Sequence, residues 1–196
     1  EKNMANQDSA FGLRPIGKVG QNKDNQGLSE YSIAANSSAI FQNDPVQALA
    51  TGYIGVNSAN DGNLLGSLNG VFYTDSSSSK PTWANHLEAS NTATDIVGFV
   101  SDDPYERFEI QSSGTLAIAD INLNANLAYA AGASPNFISK CEVVTASGMT
   151  TSVKQIRVIG VAKDIENSEK SNATTYAANV NVVGIINEHN LKTTSG

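Results

Sequence analysis

Residues 96–111 read IVGFVSDDPYERFEIQ, and this stretch indicates the class of the whole fold. Its first five residues are apolar on both faces, as in a strand that is covered on each side. Residues 102–104 then interrupt the run, because Asp side chains bond to nearby backbone and Pro presets φ for a turn. After the turn, Phe108 and Ile110 face one way, in the period-2 pattern of a half-buried strand. The opposite face carries Arg107, Glu109 and Gln111. The stretch therefore predicts two strands joined by a tight turn as a hairpin.

The rest of the chain repeats this pattern of short alternating or β-branched runs separated by turn residues. Further strands are predicted in residues 28–35, 53–56, 71–74, 81–87, 127–131, 137–144, 155–161 and 180–187. The best helical candidate lies within residues 114–124, where Thr115 could cap a short helix. Residues 164–175 are polar and loop-like. The expected fold is all-β: a compact β-barrel or β-sandwich of about eight to ten short strands, with at most one or two short helices and an extended N-terminal arm.

The predicted domain organisation has three parts: residues 1–27 form the extended arm, 28–192 a single β domain and 193–196 a tail. Residues 1–3 precede Met4, a natural start, and are interpreted as a cloning remnant or an upstream extension. The arm is read either as a frayed terminus or as a segment lying on a neighbouring subunit, because its apolar residues would otherwise be exposed. Its candidate contact residues are Phe11, Leu13, Arg14, Pro15 and Ile16. Deletion of residues 1–20 is expected to leave a folded body.

Composition and charge exclude several classes of protein. The net charge is −7 and the pI is near 4.7, which argues against a nucleic-acid-binding protein because few basic groups could replace the phosphate counterions. No apolar run approaches the ~18 residues of a membrane span. Cys141 is the only cysteine, so the chain cannot form an internal disulfide. No membrane or nucleic-acid partner is therefore expected.

The sequence offers few residues for catalysis, and the prediction is that the chain is not an enzyme and binds no cofactor. His86 and His189 are the only imidazoles, and Cys141 lies on the inward face of its strand pattern, where an inert thiol is expected. Asp102 and Asp103, with Glu106, either bind a calcium ion or cap a turn, and the turn is favoured because the loop lacks an EF-hand pattern. A packing pair or a partly exposed edge is expected at Trp83 and His86.

Six stretches occur in an order that resembles capsid decoration, or cement, proteins of tailed bacteriophages, in particular members from marine phages. The matching stretches are residues 80–84, 95–111, 119–127, 155–161, 165–167 and 180–189. The start MAN at residues 4–6, followed by AFGLRP at residues 10–15, is similar to marine-phage members. The order of DDP, FEIQ and a terminal INEH carries most of the resemblance. One departure is Asn122, where similar proteins often carry Gly.

The resemblance implies a non-enzymatic β protein that binds the outside of a capsid and stabilises the shell. The major capsid protein is then the expected partner, the virion surface the expected location after synthesis in the cytoplasm of a bacterial host, and a homo-oligomer (trimer or dimer) the expected state. The residues of the arm become candidate capsid or subunit contacts. The alternative is a tail or surface binding module that recognises carbohydrate or a host receptor. Exposed aromatics gathered on one face, such as Trp83, Tyr73 and Tyr105, would favour this alternative.

Overall fold

The computed structural model of the chain describes residues 6–20, 27–145, 149–163 and 170–192. Within these ranges the chain is almost entirely β, with one turn of 3-10 helix at Ile118–Asp120, and the all-β prediction is confirmed. None of the described helical residues forms a segment long and apolar enough to cross a membrane. The strands in chain order are β1 (Arg14–Lys18), β2 (Ser29–Ser32), β3 (Pro45–Ala48), β4 (Ile54–Val56), β5 (Gly66–Thr74), β6 (Pro81–Ala84), β7 (Val97–Ser101), β8 (Glu106–Gln111), β9 (Leu116–Ala117), β10 (Asn124–Ala125), β11 (Leu127–Ala128), β12 (Glu142–Val143), β13 (Ile156–Val161), β14 (Lys170–Asn172), β15 (Thr175–Tyr176) and β16 (Asn181–Ile186).

The first large sheet has five antiparallel strands in the order β1-β8-β16-β13-β10. Its strands alternate as their sequences predict: Val182, Gly184 and Ile186 of β16 are buried, whereas Val183 and Ile185 are half-buried. One face packs on a core that includes Phe108, Ile110 and Val158, all of them fully buried. Burial of each such side chain stabilises the fold by roughly 1.5–3 kcal/mol.

The second large sheet has the order β2-β7-β5-β3-β4, and β6 pairs with β5 as a hairpin. A parallel bridge between Ile33, just after β2, and Ile54 in β4 joins the two ends of this sheet, which curls it towards a closed barrel. Its interior is a separate core that includes Leu68, Val71 and Val100. The molecule therefore has two hydrophobic cores, one on each large sheet, within the predicted single domain.

The two strands predicted in residues 96–111 are present as β7 and β8, but they do not form a hairpin. β7 pairs with β2 and β5 in the second sheet, whereas β8 pairs with β1 and β16 in the first. The hairpin prediction is wrong because local turn chemistry does not specify which strand becomes the neighbour. Residues 102–105 instead carry the chain from one sheet to the other.

Of the helix predicted within residues 114–124, only the 3-10 turn at Ile118–Asp120 is present, and Thr115 does not cap it. That segment forms β9, the short 3-10 turn and a reversal at Asn122, whose φ is +75°. A residue in the left-handed region ends regular helix, and Asn tolerates that region better than most residues other than Gly. Asn122 therefore adopts a left-handed conformation that Gly could also adopt at this turn.

In the C-terminal third of the chain, the structure differs from the sequence prediction in one polar segment. The predicted loop of residues 164–175 contains β14 and the start of β15, which pair as a small hairpin, while residues 164–169 lie outside the described residues. His189, within the predicted β domain, is buried and bridges to Leu64. Residues 193–196, the predicted tail, lie outside the described residues.

Candidate functional site

Residues 6–20, the described part of the predicted arm, lie along the body of their own chain. β1 forms the edge of the first sheet by pairing with β8, and Leu13 is completely buried in the first core. The Leu13 N–H donates to the Asn43 carbonyl at 2.9 Å, and its carbonyl accepts from the Ser67 hydroxyl at 2.6 Å. Residues 6–20 are therefore part of the folded body, whereas the predicted boundary at residue 27 places them in a separate arm. Residues 1–5 and 21–26 lie outside the described residues.

Three polar side chains of β8 hold this N-terminal segment in place: Arg107, Glu109 and Gln111. The Ser9 N–H donates to Gln111 Oε1 at 2.9 Å, and Arg14 Nη2 pairs with Glu109 Oε2 at 2.6 Å. The Arg107 guanidinium donates to a backbone carbonyl of β1 at 3.0 Å from Nε. The face of β8 that the alternation pattern predicts to be solvent-facing is therefore largely used for binding the segment.

A β-bulge directs Ile16 away from the sheet. The pairing register of β1 and β8 shifts between Pro15 and Gly17, so Ile16 has no partner residue on β8. Its side chain is 44% exposed, and Val19 just beyond the strand is 49% exposed. Bulges commonly turn a side chain towards a new direction, and edge strands offer unpaired backbone groups to a partner. We call the exposed residues Arg14, Ile16 and Val19 the β1 edge.

The five predicted contact residues do not share one environment. Arg14 and Ile16 are exposed, Phe11 and Pro15 are half-buried, and Leu13 is buried in the core. The Arg14 guanidinium also lies 4.6 Å from the centre of the Phe11 ring, a cation–π arrangement. Leu13 is therefore unavailable to a partner, whereas Ile16 remains a candidate contact.

The acidic turn at the crossover between the sheets is bonded to both of them. Asp102 accepts hydrogen bonds from the Ser29 hydroxyl at 2.9 Å and from the Tyr31 hydroxyl at 2.6 Å, both on β2. Asp103 pairs with Lys18 of β1 at 2.6 Å. These carboxylates therefore fix the crossover against one strand of each sheet.

The ionisation of the turn follows from these contacts. The hydrogen bond from Lys18 lowers the pKa of Asp103, whereas burial raises the pKa of Glu106, whose carboxylate accepts from the Gly17 N–H at 2.9 Å. Burial, together with the hydrogen bond to Asp102, raises the pKa of Tyr31 to about 12. Within the part of the chain that the structure describes, no group of three or more potential metal-ligating His, Cys, Asp or Glu residues comes together.

The three aromatic residues named for the binding-module alternative are not gathered on one face. Tyr73 packs against the second core, and Tyr105 lies on the crossover between the sheets. Trp83 is instead 54% exposed on β6, where its ring lies 4.9 Å from the ring of Phe99 and its cross-strand partner is Phe72. The exposed aromatic residues that do lie together are Trp83 and Phe72, with Phe99 packed against Trp83.

The remaining candidates for chemistry lie in packed surroundings. The His86 ring stacks on Phe137 with a centroid separation of 3.9 Å, so Trp83 and His86 do not form a packing pair, and the alternative of a partly exposed edge fits Trp83 on β6. Cys141 is buried in the first core, as predicted, and burial raises the pKa of its thiol. Burial also lowers the pKa of His189. None of these three side chains stands free on an open surface.

Comparison with known proteins adds no relative: the chain matches no protein-family model, no curated protein and no solved structure. The resemblance to capsid decoration proteins therefore stays a prediction. Function has to be inferred from the surfaces that this fold presents.

The sequence interpretation did not name the exposed Phe72 or the half-buried Phe99 as members of an aromatic cluster. A usable signal existed for the first of them, because Thr74 and Pro81 flank the six-residue loop of the β5–β6 hairpin. Counting back two residues on each strand places Phe72 opposite Trp83 on one face. The position of Phe99 beside Trp83 depends on long-range strand pairing, for which the local pattern gives no signal.

Proposed function

We propose that this chain is a non-enzymatic decoration protein that binds the outer surface of a bacteriophage capsid through the β1 edge. The major capsid protein is the partner, the virion surface the location, and a homo-oligomer the working state. The resemblance supplies the biological setting. The observation that carries the proposal is the β1 edge, where a bulge holds Ile16 out in solvent beside Val19.

The β1 edge has the chemistry of a protein contact. It combines the edge of a five-stranded sheet with two exposed aliphatic side chains, and a partner strand or groove can bind both features. A decoration protein occupies many equivalent sites on one shell, so each contact can be modest and the sum still stabilises the particle. A small edge surface is therefore sufficient for this role.

The surroundings of the nucleophile and base candidates support a non-enzymatic role. The Cys141 thiol is buried among core side chains and its pKa is raised, which disfavours the reactive thiolate. His189 is almost completely buried, and His86 is stacked against Phe137. A general base must reach its substrate, and such packing disfavours that reach.

The test is a pair of charge insertions at the β1 edge with a matched control elsewhere. Ile16→Asp and Val19→Asp should each weaken binding to shells assembled from the partner capsid protein by about tenfold or more, because contact would then bury a carboxylate. Val153→Asp, at a valine that is 66% exposed outside the β1 edge, should bind normally. Co-sedimentation with shells measures binding, and thermal unfolding should be unchanged in all three variants.

Wild-type shell binding by both edge variants would overturn the β1 edge as the attachment surface. The binding-module alternative predicts a different position on the particle. Electron microscopy of labelled virions separates the two, because copies spread over the shell indicate decoration and copies confined to the tail indicate adhesion.

A further inference from the structure

The outer face of the second sheet carries an aromatic platform, which we define as Phe72, Trp83 and Phe99. Phe72 pairs directly with Trp83 across β5 and β6, and the Phe99 ring lies 4.9 Å from the indole at an angle of 53°. Phe72 is 41% exposed and Trp83 is 54% exposed. These rings therefore remain in water although they belong to a well-paired sheet.

Gly70 determines how the indole lies. A Cβ atom at Gly70 would come within 2.7 Å of Trp83 Cζ2 and 3.1 Å of Cη2, so the benzo ring rests where a side chain would otherwise stand. Gly70 pairs with Phe99, which supports the indole from the side. The indole is thus held against the sheet by its neighbours, and a bound molecule does not have to order it.

The rim of the platform is polar and carries little positive charge. On β2, Glu30 and Ser32 pair with Phe99 and Val97, which places both polar side chains on the platform face. Both are exposed, and each offers oxygen atoms that accept hydrogen bonds. The chain as a whole has a net charge of −7, so an acidic ligand would be repelled.

We propose that the aromatic platform binds a neutral carbohydrate, with one sugar ring stacked on the Trp83 indole. The apolar C–H face of a pyranose ring fits a flat aromatic surface, and its hydroxyl groups fit the acceptors of Glu30 and Ser32. This site lies on the second sheet, whereas the β1 edge belongs to the first, and it does not depend on the capsid proposal.

The size of the platform favours a sugar over a protein. Aromatic side chains bury about 150–250 Å² when fully covered, so the exposed parts of Phe72 and Trp83 present on the order of 100 Å² each. A stable protein interface needs about 800 Å² on each partner. One or two sugar rings match the platform far better than a second copy of the chain.

The experiment uses the fact that Trp83 is the only tryptophan in the chain, so indole fluorescence reports on this site alone. Neutral oligosaccharides of glucose, galactose and N-acetylglucosamine are titrated into the full chain. At least one series should shift or quench the emission in a saturable way, and a polyanionic oligosaccharide of the same length should not.

Variants then test the geometry by calorimetric titration with the oligosaccharide that binds. Trp83→Ala should weaken binding by about tenfold or more, while Trp83→Tyr retains a ring and should bind with intermediate affinity. Gly70→Ala should also weaken binding, because the added methyl group displaces the indole. The control is Tyr53→Ala, at a tyrosine that is exposed just before β4 and outside the platform.

Thermal unfolding and solution mass complete the design. Binding that is lost only in the platform variants, with unchanged unfolding temperature, supports the proposal. If none of the oligosaccharides changes the emission, or if Trp83→Ala binds like the wild type, the proposal is overturned. It is also overturned if no sugar binds and Trp83→Ala converts an oligomer to a monomer, since the platform would then be a contact between copies.

Discussion

At the scale of single residues, Gly12 shows how closely the N-terminal segment fits its own chain. Its φ of +72° lies in the left-handed region, and a Cβ atom there would come within 2.3 Å of the Asn43 carbonyl oxygen and 2.5 Å of Ser139 Cβ. Only glycine avoids both the strain and the overlap. The position fixes the path by which Leu13 enters the core.

Asp44 makes the stability of the protein depend on pH. Its side chain is completely buried and accepts from the Phe41 N–H at 2.8 Å, and burial raises its pKa to about 6. An unfolded Asp has a pKa near ~3.9, so between these values the folded state binds more protons than the unfolded state. The contribution of protonated Asp44 to the free energy of unfolding is complete below about pH 4 and is lost as the pH rises to about 6. Its total size is about 3 kcal/mol.

Asp44→Asn should remove this dependence, because the amide keeps an oxygen acceptor for the Phe41 N–H but does not ionise. Urea unfolding at pH 4, 5, 6 and 7 measures the free energy of unfolding for both proteins. We expect the wild type to lose about 3 kcal/mol more than the variant across this range. Equal losses in the two proteins would show that Asp44 does not set the pH dependence.

At the scale of elements, most strands were predictable, although β1, β14 and β15 were not, and strand partners were not predictable. The alternation of β8 correctly places Phe108 and Ile110 in a core, because period 2 is a local property. The same alternation leaves the polar face of β8 to solvent, whereas Glu109 and Gln111 are buried under the N-terminal segment. The contact between β8 and the N-terminal segment joins residues about a hundred positions apart, so a local pattern cannot predict it. The turn between β7 and β8 also does not determine which strands pair with them. The exposed residues of the β1 edge could be named from sequence only in part, since the bulge at Ile16 has no sequence signal.

β1 and the residue before it should contribute to stability as part of the first sheet. Leu13→Ala should cost about 2–5 kcal/mol, because the leucine is completely buried in the core. Ile16→Ala is the matched control on the same segment and should cost less than about 0.5 kcal/mol, since its side chain is 44% exposed. Chemical denaturation measures both.

The burial of Leu13 and the pairing of β1 with β8 argue against the expectation that deletion of residues 1–20 leaves a folded body. Their removal takes away Leu13 and leaves β8 as an unprotected edge. If Leu13→Ala proves as stable as Ile16→Ala, the segment is not part of the folded core in solution.

At the scale of the whole molecule, the two cores are tied together by the path of the chain. Leu64 belongs to the first core, although the strand that follows it, β5, lies in the second sheet, and the carbonyl of Leu13 in the first core accepts from the hydroxyl of Ser67 in β5. The Gln155 side chain connects the halves further, because Nε2 donates to the Gly62 carbonyl at 3.2 Å and Oε1 accepts from the Leu127 N–H at 3.0 Å. We therefore expect the two cores to unfold together.

Val71→Ala in the second core and Val158→Ala in the first core test this expectation. Both valines are completely buried, and each variant should be less stable by about 2 kcal/mol. In each variant, Trp83 fluorescence and far-ultraviolet circular dichroism should report one coincident transition at a lower temperature. A Val158→Ala protein whose circular dichroism melts early while Trp83 keeps its wild-type transition would show two independent halves.

The strand order of the first sheet also dictates a sequence of events on the ribosome. β16 lies between β8 and β13, yet it is the last strand along the described chain. All strands of the second sheet, β2 to β7, are translated by Ser101, so this sheet can close while the polypeptide is still growing. The first sheet lacks its central strand, β16, until Asn181–Ile186 has emerged. β1 can pair with β8 once Gln111 has emerged, whereas β13 cannot join that pair until β16 is made, so a ribosome that stalls before Asn181 holds a first sheet without the strand that connects β8 to β13.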